Sequence, residues 1–505
     1  MRLEMNEGVN NCLLINDGYS LDMNSLSIAL DFMQHVQQYY NKTLILSDFV
    51  QSGMVESDLY SQVAQLVKQR GITRFIGIGE AISRNAALFD GINSLFFPST
   101  DLFLLGCPPS DFSNETILIK GARRFHFENI AKVLQRKSHE TIMEVDLGAM
   151  IANLGFFRSR LKPSTKMMVM VKAASYGMGK VEVANALQFN HVDYLTVAYS
   201  DEGVELRRNG ITLPIMVMNP EEESFADMVR YKLEPDIYSF RIFDAFAETV
   251  RAFGTSEFPV HVEFDTGMHR LGFSEADIGG LAAKLRNDGN VLRVKSIFSH
   301  LACSEDTAMD DFTASQIAKF KSWSRRLKSK LDNGDVICHI LNSSGIMRFP
   351  DAQMDMVRLG IGLYGISPDP VVQRHLKPVC CLKTKISQVK DIPAGDSVGY
   401  NRRWVADRPS RIAIIPIGYA DGFARRLGYG NGELTINGHK VKVIGSVCMD
   451  MCFADVTDID CAEGDEVIIF GNNDSIHRMA KVGDTIPYEI FTSISQRVKR
   501  VYYHE

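Results

Sequence analysis

Long apolar runs are missing from this chain. No stretch reaches the roughly eighteen uncharged apolar residues of a membrane span, and Met1-Arg2-Leu3-Glu4-Met5-Asn6-Glu7 lacks the apolar core of a secretory signal, so the expectation is a cytoplasmic protein without membrane partners. Cysteine is sparse too. Nine cysteines in 505 residues form no disulfide framework, and neither Cys380-Cys381 nor Cys448-x-x-x-Cys452 has the C-x-x-C spacing of a zinc ribbon; buried free thiols and no metal site are expected. The formal net charge of -6 comes without a long block of one sign, which removes the usual signal for nucleic acid or an anionic membrane surface. The most basic stretch, Lys319 to Lys330, carries Phe320, Trp323, Leu327 and Leu331 at helical spacing and reads as the solvated side of a packed helix. A G-x-x-x-x-G-K-[ST] phosphate loop is absent.

What is present is the composition of a globular enzyme, 45% hydrophobic and 23% charged, in a chain long enough for two or three domains. Residues 11 to 136 alternate apolar strands (Cys12 to Ile15, Thr43 to Leu46, Phe75 to Ile78, Leu95 to Phe97, Thr116 to Ile119) with helical patterns such as Met23 to Tyr39 and Asp58 to Gln69, which predicts a small parallel α/β module. The polar run Gln135-Arg136-Lys137-Ser138-His139-Glu140 serves as a linker before a strand at Thr141 to Val145. Eight further strands with helices between them follow: Lys166 to Lys172, Tyr194 to Ala198, Pro214 to Met218, Glu234 to Tyr238, Val260 to Phe264, Val294 to Ser299, Val336 to Leu341 and Val357 to Gly362. That count predicts a (β/α)8 TIM-type barrel. After Pro370 short β-type runs with Gly and Asp-Gly turns (Ile412 to Ile415, Glu433 to Ile436, Lys440 to Ile444, Glu466 to Phe470) predict a mainly-β domain. The expected division is 1–136, 140–370 and 371–505.

Val171-Lys172-Ala173-Ala174-Ser175-Tyr176-Gly177 puts a lysine where a buried strand stops, and desolvation there lowers an ammonium's pKa and frees the amine to condense with an aldehyde. Further motifs follow in order: Met268-His269-Arg270-Leu271-Gly272, Ser299-His300, Asn342-Ser343-Ser344, the run from Val357 through Arg358 and Gly360-Ile361 to Gly365, Gly418-Tyr419-Ala420-Asp421-Gly422, Cys448-Met449-Asp450 and Pro487-Tyr488-Glu489. Lys172, Arg270, His300, Ser343 and the Arg358 to Ile361 segment all end or follow barrel strands, the side where such barrels place chemistry. Together these stretches resemble the alanine racemases, from about residue 140 to the end.

The resemblance implies a pyridoxal 5'-phosphate enzyme that interconverts L- and D-alanine and supplies D-alanine for peptidoglycan. It implies Lys172 as the cofactor's amine and one base, with Tyr400 as the second base on the opposite face. Tyr176, Tyr488, Ser343 and the backbone N–H groups around Gly360 and Ile361 then hold the phosphate, with Asn342 in the same motif. Arg358 faces the pyridine nitrogen; a guanidinium donates but does not surrender its proton, so that nitrogen stays unprotonated. His300 bridges Arg358 and the phenol. Arg270, Met449 and Tyr419 match substrate-contacting positions, and Tyr400 and Met449 are expected at the partner's site in a homodimer. Where many members carry a carbamylated lysine, this chain has Glu263, a built-in carboxylate beside Arg270. Other readings of the same motifs are a racemase of broader range, a decarboxylase of the same barrel type, and a non-catalytic pyridoxal-phosphate carrier, which needs neither a β domain nor Tyr400.

Residues 1–136 resemble the Rossmann-like C-terminal domain of the Mur ligase that adds D-alanyl-D-alanine to the cell-wall precursor. The matching stretches are Leu14 to Ser20, Leu44 to Gly53 with Ser47-Asp48-Phe49, and Leu118 to Arg123. Asp17-Gly18-Tyr19-Ser20 replaces the usual Asp-Ser-Tyr-Asn, removing two polar side chains, and without a phosphate loop the chain is no complete ligase. Two readings stay open: a piece of a ligase-racemase fusion, or a truncation that keeps the domain for docking.

Overall fold

The computed structural model describes residues 4–18, 21–36, 39–50, 53–135, 141–288, 291–331 and 335–504. Tyr19-Ser20 and nearly all of the expected linker (136–140) lie outside the described residues. The chain forms two compact units, Met1–Asp146 with Val498–Glu505, and Leu147–Arg497.

The first unit is a six-stranded sheet in the order Glu4–Glu7, Leu13–Asp17, Glu115–Lys120, Asn41–Ser47, Arg74–Ile78, Asn93–Phe97. Its apolar runs form strands because both faces are covered: Ile15, Leu44 and Leu46 pack with the helix cores of Met23–His35 and Glu56–Gln69, while Leu14, Ile45 and Ile76 pack on the other side with Phe103 and Ile130. Five strands run parallel as expected; Glu4–Glu7, not anticipated, is antiparallel to Leu13–Asp17. The first helix ends at His35 rather than Tyr39. Ile142–Asp146 pairs in parallel with Lys499–Tyr503, near the chain's end, and is no barrel strand.

The second unit opens with eight parallel strands, Lys166–Met170, Tyr194–Val197, Ile215–Val217, Glu234–Ile237, Phe258–Glu263, Leu292–Phe298, Ile337–His339 and Met356–Leu359. The last pairs with the first, and Asp355 N–H donates to Cys338 O (3.2 Å) and Arg358 N–H to Leu341 O (2.9 Å), closing the ring. Met168, Tyr194, Met216, Phe298, Ile337 and Met356 fill part of its interior. Lys319 to Lys330 falls largely within the helix Asp310–Lys328, which buries Phe320, Trp323 and Leu327. An antiparallel sheet follows in the order Gln388–Ile392, Ser410–Ile415, Cys452–Asp455, His439–Ile444, Glu433–Ile436, Glu466–Phe470, Cys380–Lys385, with the helices Asn473–Gly483 and Pro487–Ser493 after it. Among the described residues no helix is long and apolar enough to cross a membrane, and no cluster of three His, Cys, Asp or Glu side chains suits a metal ion.

Candidate active site at the barrel mouth

The strand Lys166–Met170 ends one residue before Val171, and Lys172 follows in a left-handed turn: Ala173, Ala174 and Ser175 have φ of 51°, 52° and 52°, and Tyr176 has 56°. Left-handed backbone costs an L-residue about 1–2 kcal/mol, so the turn stores strain that its surroundings must hold. Ser175 N–H donates to Val171 O and Gly177 N–H to Ala173 O, both at 2.9 Å. At Gly177 a Cβ would stand 2.4 Å from Phe491 O, so only glycine lets this turn close on the helix Pro487–Ser493, which carries Tyr488. Burial, then the Arg270 charge, lowers the Lys172 pKa, and Glu202 opposes them.

Lys172, Tyr176, Arg270, His300, Asn342, Ser343, Arg358, Gly360, Ile361 and Tyr488 line one cavity of about 600 Å³, together with Met218 and Glu305, which the sequence reading passed over. The cavity contains an anion cradle. Ser343 Oγ accepts from the N–H groups of Gly360 (2.9 Å) and Gly362 (3.3 Å), which leaves its own proton to donate. A Cβ on Gly360 would come within 3.2 Å of Tyr176 Oη and fill the cradle. Burial raises the pKa of both phenols, that of Tyr488 to about 12, so both remain donors. Asn342 Oδ1 is occupied by Gly345 N–H (2.9 Å) and Ser304 Oγ (2.8 Å); it caps the helix Ser343–Arg348 and so sets the place of Ser343.

Arg358 is buried below the cradle. Nη1 donates to His339 Nδ1 (2.6 Å), and Nη2 to Ser299 O (2.6 Å) and His300 Nδ1 (3.2 Å). Among the described residues Nε has no hydrogen-bond partner, and Arg358 lines the cavity. Burial brings the guanidinium down to about 10, and burial beside Arg358 holds His300 and His339 well below the usual imidazole range. These features fit pyridoxal phosphate: an amine of lowered pKa, a cradle of donors for a phosphate and a guanidinium N–H for the ring nitrogen.

Arg270 rides on a loop braced by Asp265, whose Oδ1 accepts from the N–H groups of Gly267 (2.9 Å) and His269 (3.0 Å). Glu263, expected to orient Arg270, is buried, and among the described residues its Oε2 has no hydrogen-bond partner. Its carboxyl faces Asp236, which is also buried, and Arg270 and Arg358 act on it through space. Among the described residues both Asp236 carboxylate oxygens also lack a hydrogen-bond partner, and burial and the nearby Glu263 charge raise Asp236 far above the usual carboxylate range. Asp236 escaped the sequence reading, although acidic residues at alternate positions of Glu234-Pro235-Asp236 were a visible anomaly in a barrel strand.

Tyr400, Met449 and Tyr419 do not line the cavity. They stand on the β portion, 67%, 54% and 44% exposed. Their backbones are nonetheless tied: Tyr419 N–H donates to Cys448 O (3.1 Å), Ala420 N–H to Met449 O (3.0 Å), and Ser446 Oγ to Tyr400 O (3.2 Å).

A desolvated lysine beside an anion cradle at the C-terminal face of a closed (β/α)8 barrel defines an enzyme built for a phosphorylated aldehyde cofactor. Family models for the alanine racemase N-terminal domain and C-terminal domain match residues 145–368 and 379–502. Alanine racemase 1 of Clostridium acetobutylicum is 36% identical over 370 residues, covering 71% of this chain and 94% of the relative; the alanine racemase of Methanococcus maripaludis is 37% identical over 379 residues, covering 73% and 100%. Among solved structures, alanine racemase of Clostridium difficile 630 superposes with a TM-score of 0.68 at 34% identity over 73% of this chain and 97% of that one. The Bartonella henselae alanine racemase with covalently bound pyridoxal phosphate gives 0.64 at 30% identity over 72% and 99%. The chain belongs to the alanine racemase family.

Proposed function

We propose that this protein racemises alanine at the barrel-mouth cavity, using pyridoxal phosphate and two bases, Lys172 and Tyr400. The observation that carries the reading is the lysine of lowered pKa sharing one cavity with the Ser343–Gly360 cradle. When bound, the cofactor supplies an electron sink for the pair left by the α-proton. Ser343 Oγ–H, Tyr176, Tyr488 and the backbone N–H of Ile361 would hold its phosphate, with Gly360 N–H placing the Ser343 hydroxyl. Arg358 would donate Nε–H to its ring nitrogen without giving up the proton, and His300 buttresses that guanidinium.

Lys172 Nζ moves the α-proton on one face and Tyr400 Oη on the other. A single group would return the proton to the side it left. Arg270 holds the substrate carboxylate, and the short wall of Tyr419 and Met449 restricts the side chain to one near a methyl, which favours alanine over the broader-range and decarboxylase readings. Tyr400 and Met449 serve the partner's cavity in a homodimer, in keeping with their exposure here. The three-domain division 1–136, 140–370 and 371–505 remains our working description, and the nine free cysteines suit the reducing cytoplasm. D-alanine from this reaction feeds peptidoglycan. The Mur-ligase-like reading of residues 1–136 finds support in the predominantly parallel sheet of the first unit; a docking role and a fusion remnant are separated by adding a ligase core and assaying ATP-dependent ligation.

The test mixes inactive Lys172→Ala and Tyr400→Phe chains under conditions of proven subunit exchange. A shared-site homodimer regains activity, since some heterodimers hold one intact site. Activity that never exceeds either parent rules out shared sites. Borohydride reduction and mass mapping of the holoenzyme should label Lys172; a label on another lysine removes it from its role.

A further inference from the structure

A polar file crosses the barrel interior beneath the cavity. Glu234 Oε2 lies 2.8 Å from His261 Nε2, and His261 Nδ1 lies 2.6 Å from Ser296 Oγ. Ser296 Oγ lies 2.9 Å from His339 Nε2, and His339 Nδ1 lies 2.6 Å from Arg358 Nη1. All five side chains are buried. The direction of the bonds follows from the two ends. A guanidinium only donates, so His339 Nδ1 accepts, and its proton sits on Nε2 and is donated to Ser296. At the other end the Glu234 carboxylate only accepts, so His261 donates Nε2–H to it, and the serine's single proton is free to go to His261 Nδ1. Both rings thus carry a proton on Nε2, and burial beside Arg358 holds His339 neutral. Turning over the His339 tautomer brings two donors face to face at His339 Nδ1 and Arg358 Nη1.

We propose that Glu234, His261, Ser296 and His339 are positioning residues for Arg358, orienting its guanidinium through a one-way file of hydrogen bonds that ends on a buried carboxylate. The inference rests on the reading of Arg358 as the group that faces the cofactor's ring nitrogen. His339 also stacks on Phe298 (ring centroids 5.2 Å apart, 5° between planes), and the Arg358 guanidinium lies 5.2 Å from the same ring, so neither can turn without the other. With Nη1 and Nη2 committed inside the barrel, Nε–H is the donor left for the cavity. The Asp236–Glu263 pair offsets the arginine's charge through space but leaves its orientation to the file.

Holoenzymes of Glu234→Leu, Glu234→Gln, Ser296→Ala and Arg358→Lys test this by histidine ring ¹⁵N signals, cofactor absorption and steady-state kinetics. In the unaltered enzyme His261 and His339 should both read as protonated at Nε2. Glu234→Leu removes the terminal acceptor, so His261 moves its proton to Nδ1 and donates to Ser296, whose own displaced proton then competes for His339 Nε2 and weakens the His339–Arg358 bond. The expected result is a changed His339 signal, a shifted cofactor band and kcat down by about tenfold with KM for alanine little changed. Glu234→Gln keeps an accepting oxygen and should recover most of the loss. Wild-type histidine signals and a wild-type band in Glu234→Leu would overturn the proposal. Should that variant not fold, Ser296→Ala decides by the same two readouts. Arg358→Lys separates the two layers of inference. If it alone leaves the band unmoved, Arg358 does not face the cofactor and the file has no such role; if it moves the band and the file variants do not, only the file fails.

Discussion

The two units of this chain both end parallel strands in a row of polar side chains, and they treat that row in opposite ways. In the first unit Lys120 Nζ meets Asp17 Oδ2 at 2.7 Å with both side chains fully buried, and Asp48 spends its carboxylate on the N–H groups of Ala81 (3.0 Å) and Ile82 (2.7 Å). In the barrel Lys172, Ser343 and Arg358 face a cavity of about 600 Å³ with donors to spare. Charge paired with charge holds a fold together, even with Asp17 Oδ1 left without a hydrogen-bond partner among the described residues, whereas donors directed into a cavity await a ligand. The fold alone therefore does not locate the chemistry; the hydrogen-bond accounting at the strand ends does.

The comparison breaks first at Lys172. Replacing it by alanine removes both the cofactor's attachment and one base, so racemisation should fall by more than the roughly 10² to 10⁴ of a single lost acid-base group. Chiral chromatography of the products measures it. A Lys172→Ala enzyme still within tenfold of the wild type would mean that the cavity's other donors, not this amine, do the work.

Tyr400→Phe comes next, with a loss of about 10² to 10⁴ while cofactor absorption is kept. The remaining half-reaction should be stereoselective: with Lys172 serving D-alanine, solvent exchange of its α-deuterium outpaces conversion to L-alanine. Equal exchange from both enantiomers would point to one mobile base.

Much of this site was legible beforehand, and the reason is burial. Parallel strands covered on both faces read as continuous apolar runs, so all eight barrel strands and the side chains at their ends could be placed. The short Glu4–Glu7 and Cys452–Asp455 strands carry no such run. The left-handed turn after Lys172 was hidden because Ala173, Ala174 and Ser175 carry none of the glycine signal that marks positive φ. Glu234, Asp236, His261 and His339 were missed for the opposite reason: their strands were read for hydrophobicity, and polar residues inside them were passed over.

Asp236→Asn sharpens the comparison within the barrel, with an effect on stability more than on rate. Burial and Glu263 raise the folded-state pKa of Asp236, whereas the unfolded chain ionises it near the usual 3.9 or so. The native state therefore binds the extra proton, and wild-type stability falls as pH rises from that value through the folded pKa. Asparagine carries no such penalty. The variant should melt higher than wild type at pH 8, by roughly 2–4 °C for each kcal/mol recovered, and the gap should close near pH 4. A gap that is constant with pH would mean that Asp236 ionises normally in the fold.

Lys120→Met should have the smallest effect on racemisation, none, and it tests the closed half of the comparison. The methionine fills the lysine's volume but leaves the Asp17 carboxylate buried without its cation, and breaking such a pair costs about 3–5 kcal/mol. That loss belongs to the first unit. Limited proteolysis should cut within residues 1–146 at lower temperature than in the wild type, while kcat and KM for alanine at 25 °C stay put. The double variant Asp17→Leu/Lys120→Met removes both charges and should restore resistance, because an apolar pair of similar volume replaces a buried ion pair with little or no loss. If instead the double variant is as fragile as the single one, the Asp17–Lys120 pair contributes more than mutual satisfaction. The first unit's strand ends would then have to be counted, like those of the barrel, as a place built to meet something else.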